Sequence, residues 1–168
     1  MIELQRVTTE YSETEDRLRL AGEAGAEAGS TVVLWLTQRL LNRLVPHLCQ
    51  WLEQQSGHVP LAEVRQEFAQ QLARAELEPQ APVQAATTTR EALLHSVDLR
   101  STNAAMGLVF KDAAGNSVAS LRLEAKPLRQ WLNIVYDQYR KAQWPTTVWP
   151  AWVAEATPTP MPARAVLH

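Results

Sequence analysis

The sequence predicts an α+β fold: an antiparallel sheet or flattened β-sandwich with a two-helix insertion and a C-terminal helix. Three observations point there. Short stretches near the start and in the second half alternate apolar with polar residues, as half-buried strands do. Two longer stretches repeat leucine-type residues at three- and four-residue steps, as helices with one buried face do. The second half also echoes the first at a fixed offset.

Ile2 and Leu4 alternate with Glu3 and Gln5, "SETED" (12–16) is turn-like, and Leu18 and Leu20 then alternate with Arg17 and Arg19. This pattern predicts a hairpin with one wet face. "GEAGAEAG" (22–29) holds three glycines in eight residues and is expected to be a loop, because so much backbone freedom opposes a regular element. "TVVLWL" (31–36) is apolar on both faces and reads as an interior strand. Thr37 can cap a helix whose stripe is Leu40, Leu41, Leu44, Val45, Leu48 and Leu52. Pro46 lies inside that stripe, so the helix is expected to kink there or restart as two. "SGHVP" (56–60) ends it.

A second helix has Leu61, Val64, Phe68 and Leu72 on one side, with Glu63, Arg65, Glu67 and Arg74 largely on the other. It is amphipathic, so it should cover something. Residues 77–90 hold two prolines among small polar residues and read as an exposed linker. Strands resume with His95, Val97 and Leu99 alternating with Ser96, Asp98 and Arg100, then with Met106, Leu108 and Phe110. "DAAGN" (112–116) supplies a turn in which Gly115 takes positive φ, and Ala119, Leu121 and Leu123 line the returning strand. A last helix, about 125–141, carries Leu128, Trp131, Leu132, Val135 and Tyr139.

The echo pairs Leu34 with Leu121, Leu36 with Leu123, Leu41 with Leu128, Leu44 with Trp131, Val45 with Leu132, Leu48 with Val135 and Leu52 with Tyr139. A duplicated ββ-β-α unit would produce it; so would any two strands followed by amphipathic helices, and both readings stand at this point. The predicted organisation is one globular domain over 1–141 (1–76, a linker at 77–90, then 91–141) and a Trp/Pro-rich, partly disordered tail over 142–168. This order of elements resembles the head domains of the DNA end-joining scaffold and centriole-assembly family, β-sandwich heads with a helical insertion. The resemblance covers roughly 1–141 and implies dimerisation and scaffolding. The family's heads continue into a coiled-coil stalk, whereas here "QWPTTVWP" stops the helix just past Lys141.

Hydrophobic residues make up 46% of the chain and charged ones 20%, with a formal net charge of -2. Without a basic surplus, nucleic acid is not the expected partner. The single cysteine, Cys49, cannot form an intramolecular disulfide, and with no signal-like start or membrane-length apolar run the expected location is cytoplasmic. The four histidines lack metal-ligand spacing, so neither a metal nor another cofactor is expected. His47 and Cys49 project to opposite sides of their helix, which leaves Cys49 an inert buried thiol. The glycine-rich loop lacks a following Lys-Ser or Lys-Thr pair and carries Glu23 and Glu27, so it is not read as a phosphate cradle.

Three of the six tryptophans, Trp144, Trp149 and Trp152, fall within "WPTTVWPAW". Either they fold back over the domain's own apolar face, or they anchor a second subunit or another protein. The expected function is a non-enzymatic protein-interaction module, a homodimer or one half of a protein complex, with these tryptophans and the exposed edge of the second helix as contacts. The alternative is a small-ligand or enzymatic site between the sheet and the inserted helices, where His58, His95 and Arg100 are the polar groups to inspect; a second is a nucleic-acid-associated role. No catalytic residue is assigned.

Overall fold

The computed structural model describes residues 1–25, 30–55, 60–85 and 89–157. The elements run β1 (Ile2–Ser12), β2 (Arg17–Ala24), β3 (Thr31–Leu36), α1 (Gln38–Gln55), α2 (Ala62–Ala75), β4 (Arg90–Leu93), β5 (Ser96–Ser101), β6 (Ala105–Lys111), β7 (Ser117–Glu124), α3 (Ala125–Ala142) and α4 (Ala151–Ala154). The strands form one seven-stranded sheet in the order β4-β3-β2-β1-β7-β6-β5, curled into a half-barrel, and the fold class is α+β.

The sheet is mixed, which corrects the antiparallel expectation. β1 pairs with β7 in parallel, and so does β3 with β4. The two parallel seams go together. Three strands in an up-down-up meander finish in the direction in which they began, so once β1 runs parallel to β7, the third strand of the first half and the first of the second half also run parallel. Ile2–Leu4 pairs with Ala119–Leu121, and in the matching place Arg90–Leu93 pairs with Val32–Trp35. After those short parallel stretches each chain turns to its own hairpin partner, β2 or β6. The first switch follows a register shift between Leu4 and Arg6. The second is made at Leu94–His95, where Leu94 N–H reaches Trp35 O (3.0 Å) and His95 N–H reaches Lys111 O (2.9 Å). Adjacent residues thus bond to opposite edges of the sheet and draw the half-barrel together at that corner. Each half is a ββ-β-α unit, and the echo residues Leu41 and Leu128, Val45 and Leu132, and Leu48 and Val135 are all buried in one core.

Local chemistry explains most elements. Thr37 Oγ1 accepts the Leu40 N–H at 3.2 Å and caps α1. α1 then runs through Pro46 as one helix without restarting; eight buried side chains on its inner face, including Leu41, Val45, Leu48 and Leu52, outweigh one lost backbone hydrogen bond. The "DAAGN" turn closes as expected: Gly115 has φ 83, and Asp112 Oδ1 accepts the N–H groups of Ala114 and Asn116. The start of the glycine-rich segment differs from the loop reading, since β2 continues to Ala24; residues 26–29 lie outside those described. Leu4 lies across Gly22 so closely that a Cβ there would come within 2.7 Å of its methyl carbons. The linker reading also changes. β4 lies within its last residue and beyond, and Val83 is buried, its N–H on Thr8 Oγ1 at 2.9 Å.

α3 ends at Gln143, which adopts φ 59, with Gln143 N–H on Arg140 O and Trp144 N–H on Tyr139 O. This left-handed cap reverses the chain and lays residues 144–157 back on the core. The packed body therefore extends to Thr157, well past the 141 boundary expected from the sequence.

Candidate interaction surface

The tryptophan question has a direct structural answer. Trp144, Trp149 and Trp152 are 7%, 7% and 4% exposed, packed inside their own chain. Trp144 stands edge-on to Tyr11 and Tyr139, with ring centroids 5.6 and 5.1 Å away, and Trp149 edge-on to Tyr136 and Tyr139 at 5.2 and 5.3 Å. Trp144 Nε1 donates to Asp16 Oδ1 (3.0 Å), which also accepts from Tyr11 Oη (2.8 Å). Those two donors, Tyr11 foremost, hold the Asp16 carboxyl below the usual carboxylate range. Trp152 Nε1 donates to Glu53 Oε1 on α1 (3.0 Å). Of the two readings of "WPTTVWPAW", the structure is that of the domain's own closure. As placed, these rings leave a partner little to hold.

α2 is turned the other way round from what its hydropathy suggests. Leu61, Val64, Phe68 and Leu72 are 74%, 58%, 65% and 48% exposed, while Gln66, Gln70 and Ala73 are buried. The reason lies on α3. Arg129 is buried there and points its guanidinium at α2, donating to Gln66 Oε1 (2.5 Å) and Gln70 Oε1 (3.3 Å). Gln70 Nε2 returns a bond to Arg129 O (2.9 Å), and Gln66 Nε2 reaches Leu52 O on α1 (3.2 Å). Gln130 Nε2 adds a bond to Ala73 O, and Arg74 meets Asp137 at 3.3 Å. The Arg129 guanidinium lies over the Trp152 ring, 5.4 Å from its centroid. Burial pulls its pKa below the ordinary arginine value. A guanidinium in that position demands acceptors, and the only way α2 can supply two amide oxygens is to face inward with its glutamines. Once it does, its apolar stripe must face outward, since the two sets lie on opposite sides of a 3.6-residue helix.

The two expected cleft residues that are described, His95 and Arg100, do not line a common groove. His58 lies outside the described residues. His95 sits at the β5 edge and lines a small groove of about 160 Å³ with Arg43 and His47; Arg100 is exposed further along β5, opposite Gly107, and does not line that groove. A larger groove, about 650 Å³, lies instead between α1, α2 and α4, with Gln50, Glu53, Glu63, Gln66 and Trp152 on its walls. Cys49 is buried as expected. Burial, and secondarily the Glu53 carboxylate, pushes its thiol up to about 12, so it stays protonated and unreactive at neutral pH. Among the described residues no helix is long and apolar enough to cross a membrane.

Sequence reasoning missed Arg129, Gln66 and Gln70. A signal was present: opposite the leucine stripe, α2 carries Ala62, Gln66, Ala69, Gln70 and Ala73, a face of small and amide side chains without a single charge. Such a face suits close helix packing around a buried polar group as well as it suits water. No family model matches this chain, and neither a curated protein nor a solved structure matches it.

Proposed function

We propose that this chain is a non-enzymatic protein-interaction module that docks through the outward face of α2. One observation carries the reading: four large apolar side chains, Leu61, Val64, Phe68 and Leu72, form a stripe in solvent while the amide face of the same helix is locked inward. Together they expose on the order of 450 Å², within the range that the largest patch on a monomer usually shows. The Arg129 clamp holds the stripe in place before any partner arrives, which lowers the ordering cost of binding. The scaffold role implied by the order of elements fits such a surface; of the tryptophans, first candidates for the contact, Trp152 lies behind it against Arg129.

A photo-cross-linking side chain in place of Phe68 tests this reading, with the same probe at Glu13, on the far hairpin turn, as control. Irradiation of the full chain, alone and in cell extract, is expected to give protein adducts from position 68 and none from position 13. Adducts at both positions alike, or at neither, would contradict the assignment.

A small-ligand site is the second reading. It rests on the groove where Glu53, Glu63 and Trp152 meet, a lining suited to a small cationic ligand.

A further inference from the structure

We infer that the occupant of the α2 stripe is a second copy of this chain, the two α2 helices packing against each other across a two-fold axis. This rests on the interaction reading above and names its partner. The shape of the surface comes first. The stripe stands on a single helix and forms a convex ridge about 20 Å long. A ridge does not hold a helical peptide as a groove does; it packs best against a second ridge of similar length, side chains of one helix falling between those of the other. A second copy supplies that ridge with the same spacing and the same length, and a two-fold arrangement lets one patch complement itself.

Charge does not oppose a second copy. The stripe is flanked by both signs, Glu63 and Glu67 with Arg65, so it selects neither a strongly acidic nor a strongly basic partner. The net charge of -2 leaves two copies little mutual repulsion. The area sets the strength. The stripe and its polar rim can bury on the order of 1,000 Å² in total across two copies, the low end for specific association. The dimer is therefore weak and concentration-dependent. α2 stays anchored to α3 through Arg129 in both states, so association needs no refolding.

Sedimentation equilibrium of the full chain, from about 1 μM to about 1 mM, reads this directly. The expected result is a monomer–dimer equilibrium in that range. Phe68→Glu and Phe68→Lys, each with an unchanged melting temperature, remain monomeric, and an equimolar mixture of the two recovers dimer. That recovery is specific to a face meeting its own copy, because neither variant alone can place opposite charges at the centre. A full chain that stays monomeric at the highest concentration overturns the inference, as does a dimer that Phe68→Glu leaves intact. If the protein is monomeric and position 68 cross-links to a different protein, the interaction reading survives and the second copy does not. If it is monomeric and position 68 yields no adduct, both fall.

Discussion

A chain ended at Ala142 is expected to lose its cooperative unfolding transition. Removing residues 143–168 takes away Trp144, Trp149, Trp152 and Val153, all buried in the core cluster. Three tryptophans at ~150–250 Å² each and ~25 cal/mol per Å² account for ~11–19 kcal/mol of burial as an upper bound. Whole-domain stability is ~5–15 kcal/mol. The truncation also strips Tyr136 and Tyr139 of their edge-on partners and deprives Asp16 of the Trp144 indole. Thermal unfolding followed by near-ultraviolet circular dichroism checks this: a sharp transition in the truncated chain, within a few degrees of the parent, would show that 143–157 is dispensable.

The second large effect is expected at Arg129. Arg129→Leu leaves the side-chain oxygens of Gln66 and Gln70 without their donor in a buried site, at ~1–3 kcal/mol each. With the loss of the contact to Trp152, a total of ~3–5 kcal/mol follows, the usual range for breaking a buried charged network from one side. Gln66→Leu with Gln70→Leu errs in the opposite sense, stranding the guanidinium, and is expected to cost a similar amount. The triple variant, with leucine at 66, 70 and 129, should regain most of that loss, because neither a buried guanidinium nor a buried side-chain amide is then stranded. Urea unfolding of the three proteins distinguishes this from simple packing, in which the effects would add.

Much of the architecture is legible in the sequence where it is governed by local periodicity. The first hairpin, the Thr37 cap, the stripe of α3 and the turn at Gly115 all follow from neighbours a few residues apart. The repeated order of elements is also visible, as the match of Leu34 with Leu121 and of Leu48 with Val135. The parallel pairing is not, because it depends on which strands of the two halves meet. β4 escapes notice for a related reason: Arg90–Leu93 is four residues at a sheet edge, too short for alternation to register.

The candidate site was legible only in part. Hydropathy gave the axis of α2 correctly, apolar on one side and polar on the other, but periodicity alone does not say which side faces in. That sign was set by Arg129, 59 residues beyond Gln70 in sequence. The tryptophans show the converse. Their number announced burial, yet the prolines and the absence of a period made 142–168 read as a tail, because residues 144–157 are held by edge-on aromatic packing and a left-handed cap at Gln143.

The orientation of α2 is the central claim, and the stability of Phe68→Gln tests it most directly. Phe68 lies in solvent on this account, so urea unfolding of a dilute sample should give a free energy within ~0.5 kcal/mol of the parent, as for an ordinary surface substitution. A loss of ~3 kcal/mol or more, the scale of a buried phenylalanine removed from a core, would mean that the stripe faces inward and that the interaction surface does not exist.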